Sequence, residues 1–408
     1  MPSHLNWTLI DQAMVSLVNF LTGVLVARLL GLDAFGFFAL LWTILFFFSG
    51  LQIAFILSPL LSLGTQQTPE QADSYYSIVL IQQLIFAGLS SVFILLGLYL
   101  SDIFFPTWHT APYALLLALT SFTYQLQDFI RRYFFTTGNT HSAFTNDVIS
   151  YLGQLAGLLG LFYWQIISIS AVLWVTMLSS LFAVGVGLCQ FRWRAWNKTF
   201  FYQITQRHWQ YARWLFASVL LERLHDAIMK AVITAVLGVQ AVGVFRACQN
   251  VIGMSHVLLL ALENFAPPQA GREYLQHGIV GLRRYLSRIT FNGGVVMAGI
   301  ALLLGCFPTT WLYLFYGDEF SDYGYVLTSY VVVYFIVFFL SPVKIGLRVL
   351  EKTRPLFHAL LWAVLISLVV IYPFTVWFGL QGTLLQLMLF NLIQVVYLFW
   401  VLRLQLRH

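Results

Sequence analysis

The residues best suited to binding or proton transfer form a charged cluster inside a long apolar stretch. Glu222, Arg223, His225, Asp226 and Lys230 lie within nine consecutive positions there. If that stretch crosses a membrane, such charges are costly and usually face a cavity or each other. At 100° per residue on a helix, all of them except His225, which lies at the edge, share an arc of about 100°. The pattern indicates either a cavity wall or a self-neutralising network that holds helices together.

The two signs of charge in this cluster indicate two kinds of chemistry. Arg223 and Lys230 are candidates for binding an anionic substrate group, such as a pyrophosphate or an acidic sugar. Glu222 and Asp226 are like charges four residues apart, so a proton, a cation or Arg223 has to neutralise them. We therefore assign these two carboxylates to ion coupling, with H⁺ or Na⁺ as the ion. Neither a cofactor nor a resident metal is expected.

A second polar face lies near residue 128. Asp128 shares an arc of about 140° with Tyr124, Gln127, Arg131 and Arg132, and we assign it as a third ion-coupling candidate. The two arginines are expected to contact anionic lipid head groups. Asp11, Asn146 and Asp147 lie in other apolar stretches. There they either line a cavity or, as is more common, form polar contacts between helices.

Further basic residues complete the set of substrate-binding candidates. Lys344 and Arg348 are four residues apart, just after Pro342. Their spacing fits phosphate binding and anchoring to lipid head groups equally well. Arg246 lies deeper in its apolar stretch, and we assign it to the cavity. The predicted substrate-binding residues are therefore Arg223, Lys230, Arg246, Lys344 and Arg348.

Composition identifies the solvent of these helices as lipid. Of the 408 residues, 60% are hydrophobic and only 9% are charged, whereas soluble chains carry about 25% charged residues. The mean hydropathy is +0.82. The basic residues are not clustered on a soluble face, so the net charge of +6 does not indicate nucleic-acid binding. Cys189, Cys248 and Cys306 are far apart and form no metal-ligand spacing.

Twelve apolar stretches are long enough to cross about 30 Å of hydrocarbon. They predict an all-α fold with transmembrane helices near 7–30, 35–62, 75–100, 112–132, 142–164, 167–191, 212–237, 240–265, 286–307, 324–348, 355–378 and 381–402. With both termini in the cytoplasm, all Lys and Arg residues except Arg28, Arg223, Lys230 and Arg246 fall at cytoplasmic connections or helix ends. This distribution follows the positive-inside rule. No cleavable signal peptide is expected, since the first stretch contains Asp11 and has no basic start.

A repeated motif divides the chain into halves. Leu30-Gly31-Leu32-Asp33-Ala34-Phe35-Gly36-Phe37-Phe38 and Leu237-Gly238-Val239-Gln240-Ala241-Val242-Gly243-Val244-Phe245 both read L-G-x-x-A-x-G-x-F. Six helices per half give two halves of the same orientation, as in transporters with parallel repeats around a central cavity. We predict a six-helix lobe over 1–195, a cytoplasmic linker over 196–211 and a second lobe over 212–408.

The opening of the chain carries a family resemblance. Ser16-Leu17-Val18-Asn19-Phe20, then Ala27 through Gly31 and Phe35 through Ala39, and later Arg131-Arg132-Tyr133-Phe134, resemble the polysaccharide transporter (O-antigen flippase) family. Its superfamily also contains multidrug and toxic-compound extruders and lipid-linked peptidoglycan precursor flippases. The resemblance implies a V-shaped fold of two lobes, alternating access and an undecaprenyl-pyrophosphate-linked oligosaccharide as substrate. The chain has no room for the two extra helices of the peptidoglycan-precursor flippases.

The resemblance also implies a cellular location and partners. We expect a multi-pass protein of the bacterial inner membrane, acting with membrane lipids and with polysaccharide polymerase or assembly proteins. A multidrug extruder of the same fold is the first alternative, but the basic candidates favour an anionic cargo. A membrane-embedded oligosaccharide polymerase is the second. No HExxH, Walker, or GxSxG motif occurs, and the loops are too short for a catalytic domain, so an enzyme is not expected.

Overall fold

The computed structural model describes residues 2–104, 106–253, 256–350, 352 and 354–406. This part of the chain is α-helical and contains no strand. The helices are α1 (Pro2–Gln52), α2 (Ser58–Leu63), α3 (Pro69–Phe104), α4 (Ala111–Thr136), α5 (Thr140–Asp147), α6 (Gly153–Tyr163), α7 (Ile169–Cys189), α8 (Lys198–Leu237), α9 (Val239–Gly253), α10 (His256–Cys306), α11 (Pro308–Tyr316), α12 (Asp318–Ser321), α13 (Gly324–Val349) and α14 (Arg354–Gln405). Two π-helical segments, Ile53–Leu57 and Val148–Leu152, join α1 to α2 and α5 to α6.

Three of these helices are interrupted by a glycine with a positive φ. The φ angle is 76° at Gly31 in α1, 61° at Gly278 in α10 and 60° at Gly379 in α14. Each glycine ends one helix and starts the next, so α1 and α14 each supply two predicted membrane helices. The all-α fold of a polytopic membrane protein that the hydropathy predicted is confirmed.

Within the described residues, six segments are long and apolar enough to cross a membrane by length and composition alone. They are Asp11–Gln66, Glu70–Phe104, Ile169–Cys189, Gln269–Cys306, Gly324–Val349 and Arg354–Gln405. Three of them, Asp11–Gln66, Gln269–Cys306 and Arg354–Gln405, each contain one of the helix-breaking glycines. The helices outside this set include α4, α5, α8 and α9, which carry most of the predicted site residues. α5 and α9 are short, with 8 and 15 residues, whereas α4 and α8 are long enough but carry charged side chains of the kind that makes them candidates for function.

The chain forms two compact units. One consists of Met1–Leu30 and Leu40–Arg223, and the other of Gly31–Ala39 and Leu224–His408. We call them unit 1 and unit 2. One boundary between the units lies inside α8, after Arg223. The other two boundaries lie in α1 and assign the segment Gly31–Ala39 to unit 2. The predicted division at residues 195 and 211 stays a prediction.

The core of unit 1 includes part of the predicted linker. Tyr75 and Tyr76 of α3 pack with Phe129 and Tyr133 of α4, and Ile204 of α8 is buried in the same cluster. Trp196, Phe200 and Phe201 pack on its edge. The segment 196–211 is thus anchored to unit 1 by its own aromatic side chains.

In unit 2, the two copies of the repeated motif lie against each other. Gly31 and Gly238 occupy equivalent positions and have φ angles of 76° and 86°, which glycine adopts without steric cost. The second glycines are closely packed: a Cβ on Gly36 would be under 3.0 Å from the Val239 carbonyl, and a Cβ on Gly243 would be 2.9 Å from the Leu32 carbonyl. The first glycine of each motif therefore allows the same bend, and the second glycine allows the two motifs to come into backbone contact.

An acidic residue completes this junction. The Glu319 carboxylate of α12 accepts a hydrogen bond of 2.9 Å from the Leu32 backbone N–H. That amide belongs to the first turn after Gly31, where the amides of a helix lack partners and the helix dipole favours an anion. Phe35 packs beside it on Tyr316 and Phe320.

Candidate functional site

Unit 1 contains an arginine held between two carboxylates. The Arg131 side chain of α4 donates from Nη2 to Asp11 Oδ2 of α1 over 2.9 Å, and from Nε to Asp147 Oδ2 at the end of α5. Only 10% of the Arg131 side chain is exposed, 1% of Asp11 and none of Asp147. The sequence placed Arg131 at the membrane surface, but the structure buries it. We call Asp11, Arg131 and Asp147 the buried triad.

Amide side chains fix one end of this triad. Gln127 donates to Asp147 Oδ1 over 3.0 Å and to Asn146 Oδ1 over 3.1 Å. Asn146 in turn donates to the Ala183 carbonyl of α7 over 2.7 Å. Asp147 directly precedes the π-helical segment Val148–Leu152, a feature that is frequent at functional sites. Both oxygens of Asp147 are therefore occupied, and the π segment sets its position.

The buried triad lacks one positive charge. With both carboxylates ionised, one guanidinium leaves a net charge of −1 in a region from which water is excluded, and such a site is strongly unfavourable. Asp11 Oδ1 has no hydrogen-bond partner among the described residues. Asp11 is thus the carboxylate with room for a proton or a cation. No grouping of three or more His, Cys, Asp or Glu side chains suited to a metal occurs in the described part of the chain.

Asp128, one of the predicted ion-coupling residues, forms a separate pair. Its Oδ1 accepts from Arg132 Nε over 3.0 Å, and the two side chains are 15% and 26% exposed. Arg132 therefore supplies the counter-ion of Asp128. Adjacent arginines thus occupy different environments, since Arg131 is buried between two carboxylates and Arg132 forms a one-to-one pair.

Unit 2 contains a cluster of one acidic and two basic side chains. Lys230 Nζ lies 2.8 Å from Asp226 Oδ2 on α8, and the Lys230 side chain is 8% exposed. Arg246 on α9 donates to Gln249 over 3.3 Å. It also interacts electrostatically with Asp226 and with the tyrosines 316, 330 and 334. We call Asp226, Lys230 and Arg246 the basic cluster, because two of its three charged side chains are basic.

His225 lies in a different environment from its charged neighbours. Its ring stacks on Phe390 at a centroid distance of 4.3 Å and an interplanar angle of 7°. Its Nε2 lies 2.5 Å from Ser367 Oγ and 3.1 Å from Gln386 Nε2, both on α14. His225 therefore connects α8 to α14 through uncharged polar groups.

The other predicted site residues have surroundings of their own. Arg223 lies against Gly50 in unit 1, where a Cβ on Gly50 would be 2.5 Å from Arg223 Nε. Its neighbour Glu222 is exposed. On α13, Lys344 is partly buried and Arg348 exposed. They lie roughly 20 Å along the helix from Tyr330 and Tyr334, the residues near Arg246.

Comparison with known families identifies the chain. The family model described as "Polysaccharide biosynthesis protein" matches residues 25–268, which is more than half of the sequence. The chain belongs to this family. A second family model, MatE, matches residues 215–373. A search of curated proteins gives no match.

Solved structures show that the family member has the fold of the MOP superfamily of transporters. An inward-facing MATE multidrug-resistance transporter superposes with a TM-score of 0.78 at 15% identity, covering 96% of this chain and 94% of that one. The lipid II flippase MurJ gives 0.66 at 14% identity, with 98% and 87% coverage. A MOP transporter from Pyrococcus furiosus, described as having a binding pocket of reverse polarity, gives 0.68 at 14% identity, with 98% and 93% coverage. The chain therefore has the fold that these transporters share.

Proposed function

We propose that this protein is a flippase for an undecaprenyl-pyrophosphate-linked oligosaccharide, which it moves from the cytoplasmic to the outer face of the bacterial inner membrane by alternating access. The basic cluster is the observation that carries the proposal. Lys230 and Arg246 bring two buried or partly buried basic side chains together, and both groups bind phosphate oxygens by charge-assisted hydrogen bonds, which favours an anionic group such as a pyrophosphate. The family supports a role in polysaccharide biosynthesis.

In this proposal, the tyrosines around Arg246 contribute as well. Their hydroxyls can hydrogen-bond to phosphate or sugar oxygens, while their rings exclude water from the site. Lys230 is a compact point charge and Arg246 a planar fork, so the two recognise phosphate oxygens in different geometries. Arg348 and Lys344, distant from this cluster, act where lipid-linked substrate approaches from the cytoplasmic side.

The buried triad is the site at which we place ion coupling. Asp128 has Arg132 as its own counter-ion, and Asp226 has Lys230. Asp11 and Asp147 instead share one guanidinium, so a proton or a Na⁺ ion would complete their charge balance. A site whose occupancy changes its net charge can couple an ion gradient to a change between two conformations.

A multidrug extruder is the second candidate, and the comparisons support it equally. Both the MatE match and the MATE structures belong to such proteins. An organic cation would require a site rich in carboxylates and aromatic rings. The tyrosines near Arg246 supply aromatic rings, but Lys230 and Arg246 place basic side chains in the same site, which favours an anionic cargo.

A deletion strain tests the proposal. The measurement is the amount of surface polysaccharide together with the pool of undecaprenyl-linked oligosaccharide, with and without the intact gene. The expected result is loss of the polymer and accumulation of complete lipid-linked units on the cytoplasmic face. Unchanged pools, combined with increased sensitivity to cationic drugs, would support the extruder instead. Restoration by Lys230→Gln/Arg246→Gln at wild-type levels would reject the role of the basic cluster.

A further inference from the structure

Unit 2 contains a groove that the proposed transport does not use. Its volume is about 980 Å³, and its walls come from the second half of α10, from α13 and from the end of α14. Its apolar lining includes Phe291, Val295, Phe335, Phe339 and Phe399. The groove lies entirely within unit 2.

One end of the groove is basic. Arg283 of α10 and Arg403 of α14 both line it. The contacts of Leu286 and Leu402 with Gly346 place these two helix ends beside the same turn of α13. Both arginines are exposed, and neither forms an ion pair within the described residues. Ser287 and Thr290 add hydroxyl groups next to Arg283.

The length of the groove matches one leaflet of a bilayer. Its lining along α10 extends from Arg283 to Ala298, which is about 22 Å of helix. Half of a bilayer of about 40–45 Å, head groups included, is close to that length. A molecule with one charged end and an apolar remainder of one leaflet's depth therefore fits both the charge and the length.

We infer that this groove binds an anionic phospholipid of the surrounding leaflet, with its phosphate between Arg283 and Arg403 and an acyl chain along Phe291, Val295 and Phe335. Basic pockets between transmembrane helices recognise acidic head groups by direct contact with phosphate oxygens. A long isoprenoid carrier would extend beyond a groove of one leaflet's depth, so a bilayer phospholipid is the occupant. The bound lipid would cover the apolar faces of α10, α13 and α14.

Native mass spectrometry of the full chain tests this site with phosphatidylglycerol, phosphatidylcholine and undecaprenyl phosphate as probes. Arg283→Gln/Arg403→Gln should weaken phosphatidylglycerol binding about 30-fold, at roughly 5-fold for each arginine. Arg284→Gln/Arg288→Gln is the matched control, because it removes the same charge from exposed positions of α10 that do not line the groove. This control should bind phosphatidylglycerol as the wild type does.

A steric variant tests the apolar part of the groove independently of its arginines. Ala298→Trp fills the apolar end and leaves all arginines in place, and it should reduce phosphatidylglycerol binding as well. Each variant is accepted only with a wild-type melting temperature. If both double variants lose the same amount of phosphatidylglycerol binding, the lipid is attracted by basic residues in general and the proposed site is overturned. Equal affinity for phosphatidylcholine, or tighter binding of undecaprenyl phosphate, would overturn the assigned occupant.

Discussion

Arg131 Nη2 lies 2.9 Å from Asp11 Oδ2, although the two residues are 120 positions apart in sequence. This ion pair joins α4 to α1, and the second pair of Arg131, with Asp147, joins α4 to α5. Three helices of unit 1 thus meet at one guanidinium. The same contact holds the helices together and leaves the site one positive charge short, so stability and ion binding depend on the same atoms.

Removal of Arg131 should destabilise unit 1 strongly. In Arg131→Met, two buried carboxylates lose their counter-ion, which typically costs about 3–5 kcal/mol. The melting temperature in detergent measures this. Arg132→Gln is the control, since its partly exposed pair with Asp128 is worth at most about 1 kcal/mol. If both variants melt alike, the buried triad does not stabilise the fold.

Neutralising Asp11 should affect coupling more than stability. Asp11→Asn keeps the shape of the side chain and leaves Arg131 paired one-to-one with Asp147. We expect a near-wild-type melting temperature and transport that no longer responds to an imposed H⁺ or Na⁺ gradient. Asp128→Asn is the comparison, because Asp128 already has Arg132, and its transport should keep the gradient response. A wild-type gradient response in Asp11→Asn would place the coupling ion elsewhere.

The contact between the two repeated motifs predicts a strong effect of a single methyl group. Gly36→Ala would place a Cβ under 3.0 Å from the backbone carbonyl of Val239, and backbone cannot move as a flexible side chain does. Overpacking of this kind costs about 1–3 kcal/mol. Gly88→Ala on α3 is the control, since no atom lies within 4 Å of its added Cβ. Thermal unfolding should show a loss in the first variant only.

His208 makes stability depend on pH. Burial, with a smaller effect from Arg207, lowers the pKa of His208 from 6.5 to about 4. Its Nε2 lies 3.0 Å from the Tyr75 hydroxyl. Because the unfolded chain binds the proton more tightly, the stability is fully present above pH 6.5. It is lost as the pH falls toward 4, by at most about 3 kcal/mol.

Melting temperatures at pH 8 and pH 5 measure this effect. The wild type should lose more stability on acidification than His208→Gln, which keeps a polar group near Tyr75 and has no proton to gain. His358 is exposed, so His358→Gln should behave as the wild type does. An identical acid loss in His208→Gln would show that other groups cause it.

The sequence predicted the helices well and the site only in part. Hydropathy and the glycine of each repeated motif depend on local composition, so the all-α fold and the bend at Gly31 were accessible from sequence. The pair Asp226–Lys230 was accessible too, since it connects residues four apart on one helix. The buried triad was not assembled, because Asp11, Arg131 and Asp147 come from three helices and no periodicity relates them. An arginine near a helix end looks the same whether it faces lipid head groups or a buried aspartate.

The most direct test of the central claim uses purified protein in liposomes. The measurement is the rate at which a lipid-pyrophosphate-linked oligosaccharide becomes accessible on the opposite face, with export of an organic cation measured in parallel. We expect translocation of the lipid-linked oligosaccharide and no export of the cation. Lys230→Gln/Arg246→Gln should reduce the translocation roughly tenfold or more, because charge-assisted contacts to phosphate are lost. Export of the cation without translocation of the oligosaccharide would contradict the claim.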